Sequence, residues 1–175
     1  MSNSQSEDIV RLLTNCQIEE FNRWRINNPT TKLVISGIDF VRKDLSGAYL
    51  NGIASASTNF SDCNLARINL VQADLSEANF EGANLTDAIL MYAEMKGCNL
   101  AGSNLTRTNL MWANLQDSNL SGCKLSKTIF VQANLMNAKL DNVYKNGAYL
   151  KFAKLKGTPW ETQEAEDGKA HTQRH

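Results

Sequence analysis

Residues 73–92 read ADLSE ANFEG ANLTD AILMY, and the spacing within them decides the fold. A large apolar residue falls at Leu75, Phe80, Leu85 and Leu90. Two positions earlier stands a small one, Ala73, Ala78, Ala83 or Ala88, and between the two lies Asp74, Asn79, Asn84 or Ile89. A period of five matches neither the 3.6 of a helix nor the 2 of a strand. The beat runs outward in both directions, from Phe40 to Leu155, with large apolar residues at almost every multiple of five. One large and one small residue per unit point inward, and the other three face water. A unit of five cannot bury anything alone, so its core must come from stacking on copies of itself. This predicts an all-β solenoid.

The units ADLSE, ANFEG, ANLTD, SNLTR, ANLQD, SNLSG and ANLMN resemble the A(D/N)LXX units of the pentapeptide repeat family, across about residues 38–157. The resemblance implies a right-handed quadrilateral β-helix with four units per 20-residue coil. About six coils follow, a rod of roughly 29 Å at a strand spacing of ~4.8 Å. The family is abundant in cyanobacteria. Some members regulate cell differentiation through protein partners, and others are DNA mimics that bind DNA gyrase.

The outward slots support a 20-residue coil independently. Of fourteen large apolar residues there, eleven flank Leu50, Leu70, Leu90, Leu110, Phe130 or Leu150, centres twenty apart. The eleven are Tyr49, Val71, Ile89, Met91, Tyr92, Met111, Trp112, Ile129, Val131, Tyr149 and Phe152. Gathered on one outer face, they form a candidate partner-binding surface, because contiguous exposed apolar patches mark binding sites. Tyr92 and Trp112 are expected to stack one coil apart at its centre, and Phe40, Phe60 and Phe80 to stack inside.

Two units break the beat. Ser55 and Lys145 stand where leucine belongs, predicting local loss of phase at 53–58 and 143–147. Residues 1–37 read as a helical cap and lead-in strand. Ser4 with Glu7 suggests a capping box, Ile9, Leu12, Leu13 and Cys16 a first helix, and Ile18, Phe21 and Trp24 a second. Asn27-Asn28-Pro29 ends the second helix, and Leu33-Val34-Ile35 reads as a strand. At the other end, residues 158–175 supply a covering Trp160 and a tail without large apolar side chains, expected to be disordered.

Chemistry is nearly absent. Cys16, Cys63, Cys98 and Cys123 lack CxxC spacing, and the only histidines, His171 and His175, lie in the last five residues. No catalytic set, metal site or cofactor motif can be assembled. No apolar run reaches a membrane span, and the polar start MSNSQSED is not a secretory signal. The expectation is a cytoplasmic, non-enzymatic protein with no small-molecule substrate and no membrane association. It would act through an unidentified protein partner or self-association.

Eighteen acids balance eighteen bases. Within 38–157 there are ten acids and twelve bases, with the bases denser toward the C-terminal end. A near-neutral rod disfavours nucleic-acid binding and the DNA-mimic alternative alike, since duplex DNA carries one negative charge per ~1.7 Å.

Overall fold

The computed structural model describes residues 3–144 and 147–161, with side chains from residue 7. Lys145 and the tail beyond Glu161 lie outside the described residues, so the expectations placed on them do too.

Two helices open the chain, α1 over Asn3–Thr14 and α2 over Ile18–Asn27. Because α1 starts at Asn3, Ser4 lies within its first turn and is not its N-cap. The helix ends on Cys16, which holds φ +56 while Cys16 N bonds Leu13 O and Gln17 N bonds Leu12 O at 2.7 Å. That pairing is a Schellman closure, with cysteine in the slot glycine usually takes. Glu19 and Glu20 sit in the first turn of α2, where its dipole favours negative charge. Leu13 and Phe21 are fully buried, and Trp24 packs half-buried against Phe21, ring centroids 5.8 Å apart.

From Val34 onward the chain winds in register. Parallel pairings join residues twenty apart, from Val34–Ala54 to Asn134–Lys154, and each is one residue long. The expected strand at Leu33-Val34-Ile35 is one such pair, with Val34 outward and its neighbours buried. One unit shows the bonding. Leu65 N donates to Asn84 O at 2.8 Å, Arg67 N to Thr86 O at 2.9 Å, and Asn84 N to Cys63 O at 2.9 Å. Ile68 N closes the corner onto Leu65 O. The third residue of each such turn has positive φ, the signature of a type II turn. Every fifth residue from Gly37 to Gly157 carries it, nine of them glycine. Four such corners per twenty residues make each coil four-sided.

The core is a set of columns along the axis. Phe40, Phe60 and Phe80 stack with centroids 5.4 and 5.1 Å apart and rings nearly parallel. Small inward residues such as Ala73, Ala93 and Ala113 leave room for the large ones. Outward, Asn and Asp have a local task. Fourteen of them accept a bond from the backbone N–H two residues on, as Asn84 Oδ1 does from Thr86 N at 3.2 Å. This Asx geometry explains the beat's preference for those residues just before each corner.

One expectation is corrected. The unit around Ser55 keeps phase: Ile53, Ser55 and Thr58 are buried, and Ala54 pairs with both Val34 and Asp74. Serine is small enough to sit in a leucine slot without forcing the backbone out. Its Oγ is buried without a hydrogen-bond partner.

The first coil has no coil before it. In later coils, Asn69 N reaches Ala48 O and Ile89 N reaches Ile68 O. Tyr49 N instead finds Asn22 Oδ1 at 2.8 Å, while Asn22 Nδ2 donates to Gly47 O at 2.9 Å. The Asn51 carbonyl accepts from the Arg25 guanidinium, which also donates to Thr31 O at 2.6 Å. Side chains of α2 thus satisfy polar groups that the open edge of a β-helix would expose. Burial lowers the pKa of Arg25, whose Nε lacks a partner.

Candidate interaction face

The 20-residue register sorts the eleven apolar candidates into three adjacent columns. Tyr49, Asn69, Ile89, Asn109, Ile129 and Tyr149 pair in sequence along the middle of one side. At the following corner run Asn51, Val71, Met91, Met111, Val131 and Lys151, and beside them Gly52, Gln72, Tyr92, Trp112, Gln132 and Phe152. Tyr49, Ile89, Tyr92, Trp112, Tyr149 and Phe152 are exposed. Val71, Met91, Met111, Ile129 and Val131 are half-buried. The rings of Tyr92 and Trp112 stack at 4.8 Å with 4° between planes, and remain 47% and 39% exposed. Lys151 Nζ lies 5.1 Å from the Phe152 ring centroid, a cation–π contact. Although α2 reaches Tyr49 through Asn22, the larger members of the face from Ile89 to Phe152 stay open.

Tyr92, Trp112 and Phe152 hold φ of +60, +58 and +62. A left-handed conformation costs an L-residue roughly 1–2 kcal/mol, and an aromatic side chain offers none of the local bonding that excuses Asn or Asp. In the middle column, Asn69 and Asn109 accept from Val71 N and Met111 N, while Ile89 and Ile129 have no such acceptor to offer Met91 and Val131. Aromatics on strained corners and isoleucines in Asx positions both weaken the local scheme. The positive φ belongs to the corner itself, since Arg67, Gln72, Glu77, Arg107 and Lys127 hold it at the equivalent positions.

Charged groups edge the face. On one side run Arg67, Asp87, Arg107 and Lys127, where Arg107 makes a two-point bond to Asp87 with both distances 2.6 Å. That hydrogen bonding holds the Asp87 carboxyl below the usual range and raises the arginine. On the other side a paired column runs Asp74, Glu94, Asn114, Asn134 and Lys154. These edges carried no signal until the register placed them beside the apolar columns.

Among the described residues, no group of three His, Cys, Asp or Glu is placed to hold a metal ion, and no helix is long and apolar enough to cross a membrane. Cys63, Cys98 and Cys123 are buried as free thiols, and Cys16 is exposed.

Residues 56–91, 93–130 and 113–144 match the family described as Pentapeptide repeats, with eight copies. No curated protein matches the chain. Among solved structures, a pentapeptide repeat protein of the Arabidopsis thaliana thylakoid lumen is 28% identical, covering 55% of this chain and 67% of its own, with a TM-score of 0.54. HetL, a pentapeptide repeat protein involved in heterocyst differentiation regulation in the cyanobacterium Nostoc sp. strain PCC 7120, is 21% identical over 77% of this chain and 94% of its own, with a TM-score of 0.35. Full-length QnrB1, a plasmid-mediated fluoroquinolone resistance protein, is 20% identical over 82% and 90%, also at 0.35. The five-residue beat, the 20-residue register and the family match agree: the chain belongs to the pentapeptide repeat family, whose members wind as right-handed quadrilateral β-helices.

Proposed function

We propose that this chain is a non-enzymatic protein-interaction module, in which a rod of about six coils, capped by α1 and α2, presents its apolar side to another protein. The observation that carries the reading is the parallel Tyr92–Trp112 stack, left in solvent on two strained corners. Aromatic residues near the centre of an apolar patch supply most of the binding energy in typical interfaces. Four cysteines held as free thiols suit a role in a reducing compartment such as the cytoplasm.

The test is the double variant Tyr92→Glu/Trp112→Glu. Both side chains are exposed, so the variant is expected to fold with an unchanged circular dichroism spectrum. Light scattering gives its mass, and affinity capture from native lysate gives its partners. Loss of self-association or of captured protein supports the face, whereas an unchanged mass together with unchanged capture removes it.

A further inference from the structure

We propose that the occupant of this face is a second copy of the same chain, docked antiparallel about a two-fold axis that crosses the rod between the levels of Tyr92 and Trp112. The inference rests on the reading of the face as an interaction surface and names its partner. Its first support is the order of residues in the columns. One corner column reads Val71, Met91, Met111, Val131, and its neighbour reads Gln72, Tyr92, Trp112, Gln132. Both are near-palindromes about the same level. A copy turned end for end therefore presents methionine to methionine, valine to valine and Tyr92 to Trp112. An isologous two-fold contact requires this kind of self-complementarity.

Charge supplies the second support and selects the direction. On the N-terminal side of that axis, residues 38–102 hold eight acids against four bases, a net of −4, and beyond it residues 103–157 hold two acids against eight bases, a net of +6. Except for Lys145, which lies outside the described residues, all the bases of the second group are exposed. A parallel pair would set the acidic half on the acidic half and the basic half on the basic half. An antiparallel pair sets each on its opposite. Beside the apolar columns the same polarity recurs, with Asp74 and Glu94 toward one end and Lys151 and Lys154 toward the other. With the axis at the stated level, the partner's Lys154 falls about 6 Å from Asp74 along the rod axis, at the same edge of the face. A chain neutral overall yet polar along its axis suits a copy of itself better than it suits a uniformly acidic or basic partner.

The mass of the full chain in solution, followed over concentration and salt, tests the proposal. The expectation is a species of twice the 19.4 kDa chain that dissociates as salt rises. Lys151→Glu/Lys154→Glu should weaken the dimer about tenfold, and so should Asp74→Lys/Glu94→Lys. All four substitutions in one chain should restore it, because the swapped charges again meet their opposites. The column already contains lysine at Lys154, and the equivalent slots of other sides contain Lys124 and Lys139, so the coil accepts these changes. A wild-type chain that stays at 19.4 kDa up to its solubility limit in low salt overturns the dimer. If Tyr92→Glu/Trp112→Glu then still abolishes capture from lysate, the interaction face survives without self-pairing. If capture is unchanged too, both readings fall. A dimer insensitive to the charge variants, or not rescued by the four-fold swap, overturns the antiparallel arrangement.

Discussion

Cys63, Cys98 and Cys123 occupy the small inward slot, two before the large residue, and each uses its thiol the same way. Their Sγ atoms donate to Phe40 O, Leu75 O and Leu100 O at 2.8, 2.9 and 3.0 Å, always 23 residues back. Thr58, Thr108 and Thr128 send their hydroxyls to the equivalent carbonyls. Ser118 Oγ in the same slot donates instead to Leu115 O of its own coil at 2.6 Å, and the slot also holds alanines and, at Ile53 and Ile68, larger buried apolar residues, so a buried polar atom is accepted there when it finds a partner. Burial pushes the three thiols from 9.0 up to about 11, 12 and 11. A thiol whose folded pKa is raised contributes stability that is full below the unfolded value and lost as pH climbs through the folded one. Folding stability should thus hold up to about pH 9 and fall between pH 9 and 12. Cys98→Ala should flatten part of that fall, as denaturant unfolding at stepped pH would show. In the native state at neutral pH, iodoacetamide should modify Cys16 alone, read as one adduct by intact mass, and all four cysteines after unfolding. More than one native adduct would show that the core opens.

Columns of aligned side chains are the elements of this fold. Asn99 illustrates them: its Nδ2 donates to Asn79 Oδ1 at 3.1 Å, its Oδ1 accepts from Asn119 Nδ2 at 3.3 Å, and the same oxygen takes Ala101 N. Asn99→Ala should lower stability by about 1–2 kcal/mol, measured by urea unfolding, because one carboxamide serves four bonds at a half-buried site, the fourth from Nδ2 to Glu81 Oε2 at 3.1 Å. A loss no larger than that of an exposed surface alanine would show that water replaces the ladder. Such columns were legible in the sequence, because a 20-residue coil turns four five-residue units into aligned positions. The periodic phenylalanines gave the inner stack, and the clustering of Tyr92 with Trp112 gave the outer one. What stayed hidden depends on three-dimensional neighbours. The beat treats Ser55 as an error, yet a small side chain fits the leucine slot without moving the backbone. Nothing in the pattern marks Asn22 and Arg25 as surrogates for a missing coil, since their acceptors at Gly47 and Asn51 lie 25 and 26 residues away. The left-handed corners under Tyr92 and Trp112 were equally invisible, because glycine fills only nine of the sites that share the conformation.

At the scale of the whole molecule, the same design fixes both what the rod can bind and how it comes apart. A DNA mimic needs uniform negative charge along its length. Here the sign changes from acidic to basic along the axis, a distribution unlike the uniform charge of a duplex. Stability is equally directional, because each coil touches only its neighbours and the ends must be closed separately. Trp160 is the candidate cover for the C-terminal end. It is buried, its backbone N–H donates to Thr158 Oγ1 at 3.2 Å, and that hydroxyl donates to Leu155 O at 2.7 Å. Removing the indole in Trp160→Ala uncovers Leu155 and the last inward column without touching the middle of the rod. In a quasi-one-dimensional structure the loss should spread inward from that end. Hydrogen exchange should therefore quicken at Phe130, Leu135 and Ala153, while Leu70, Leu90 and Asn104 keep wild-type protection. Quickening by the same factor in both groups would show that the coils unfold as one cooperative block, and would shift the source of cooperativity from nearest neighbours to the stacked core as a whole.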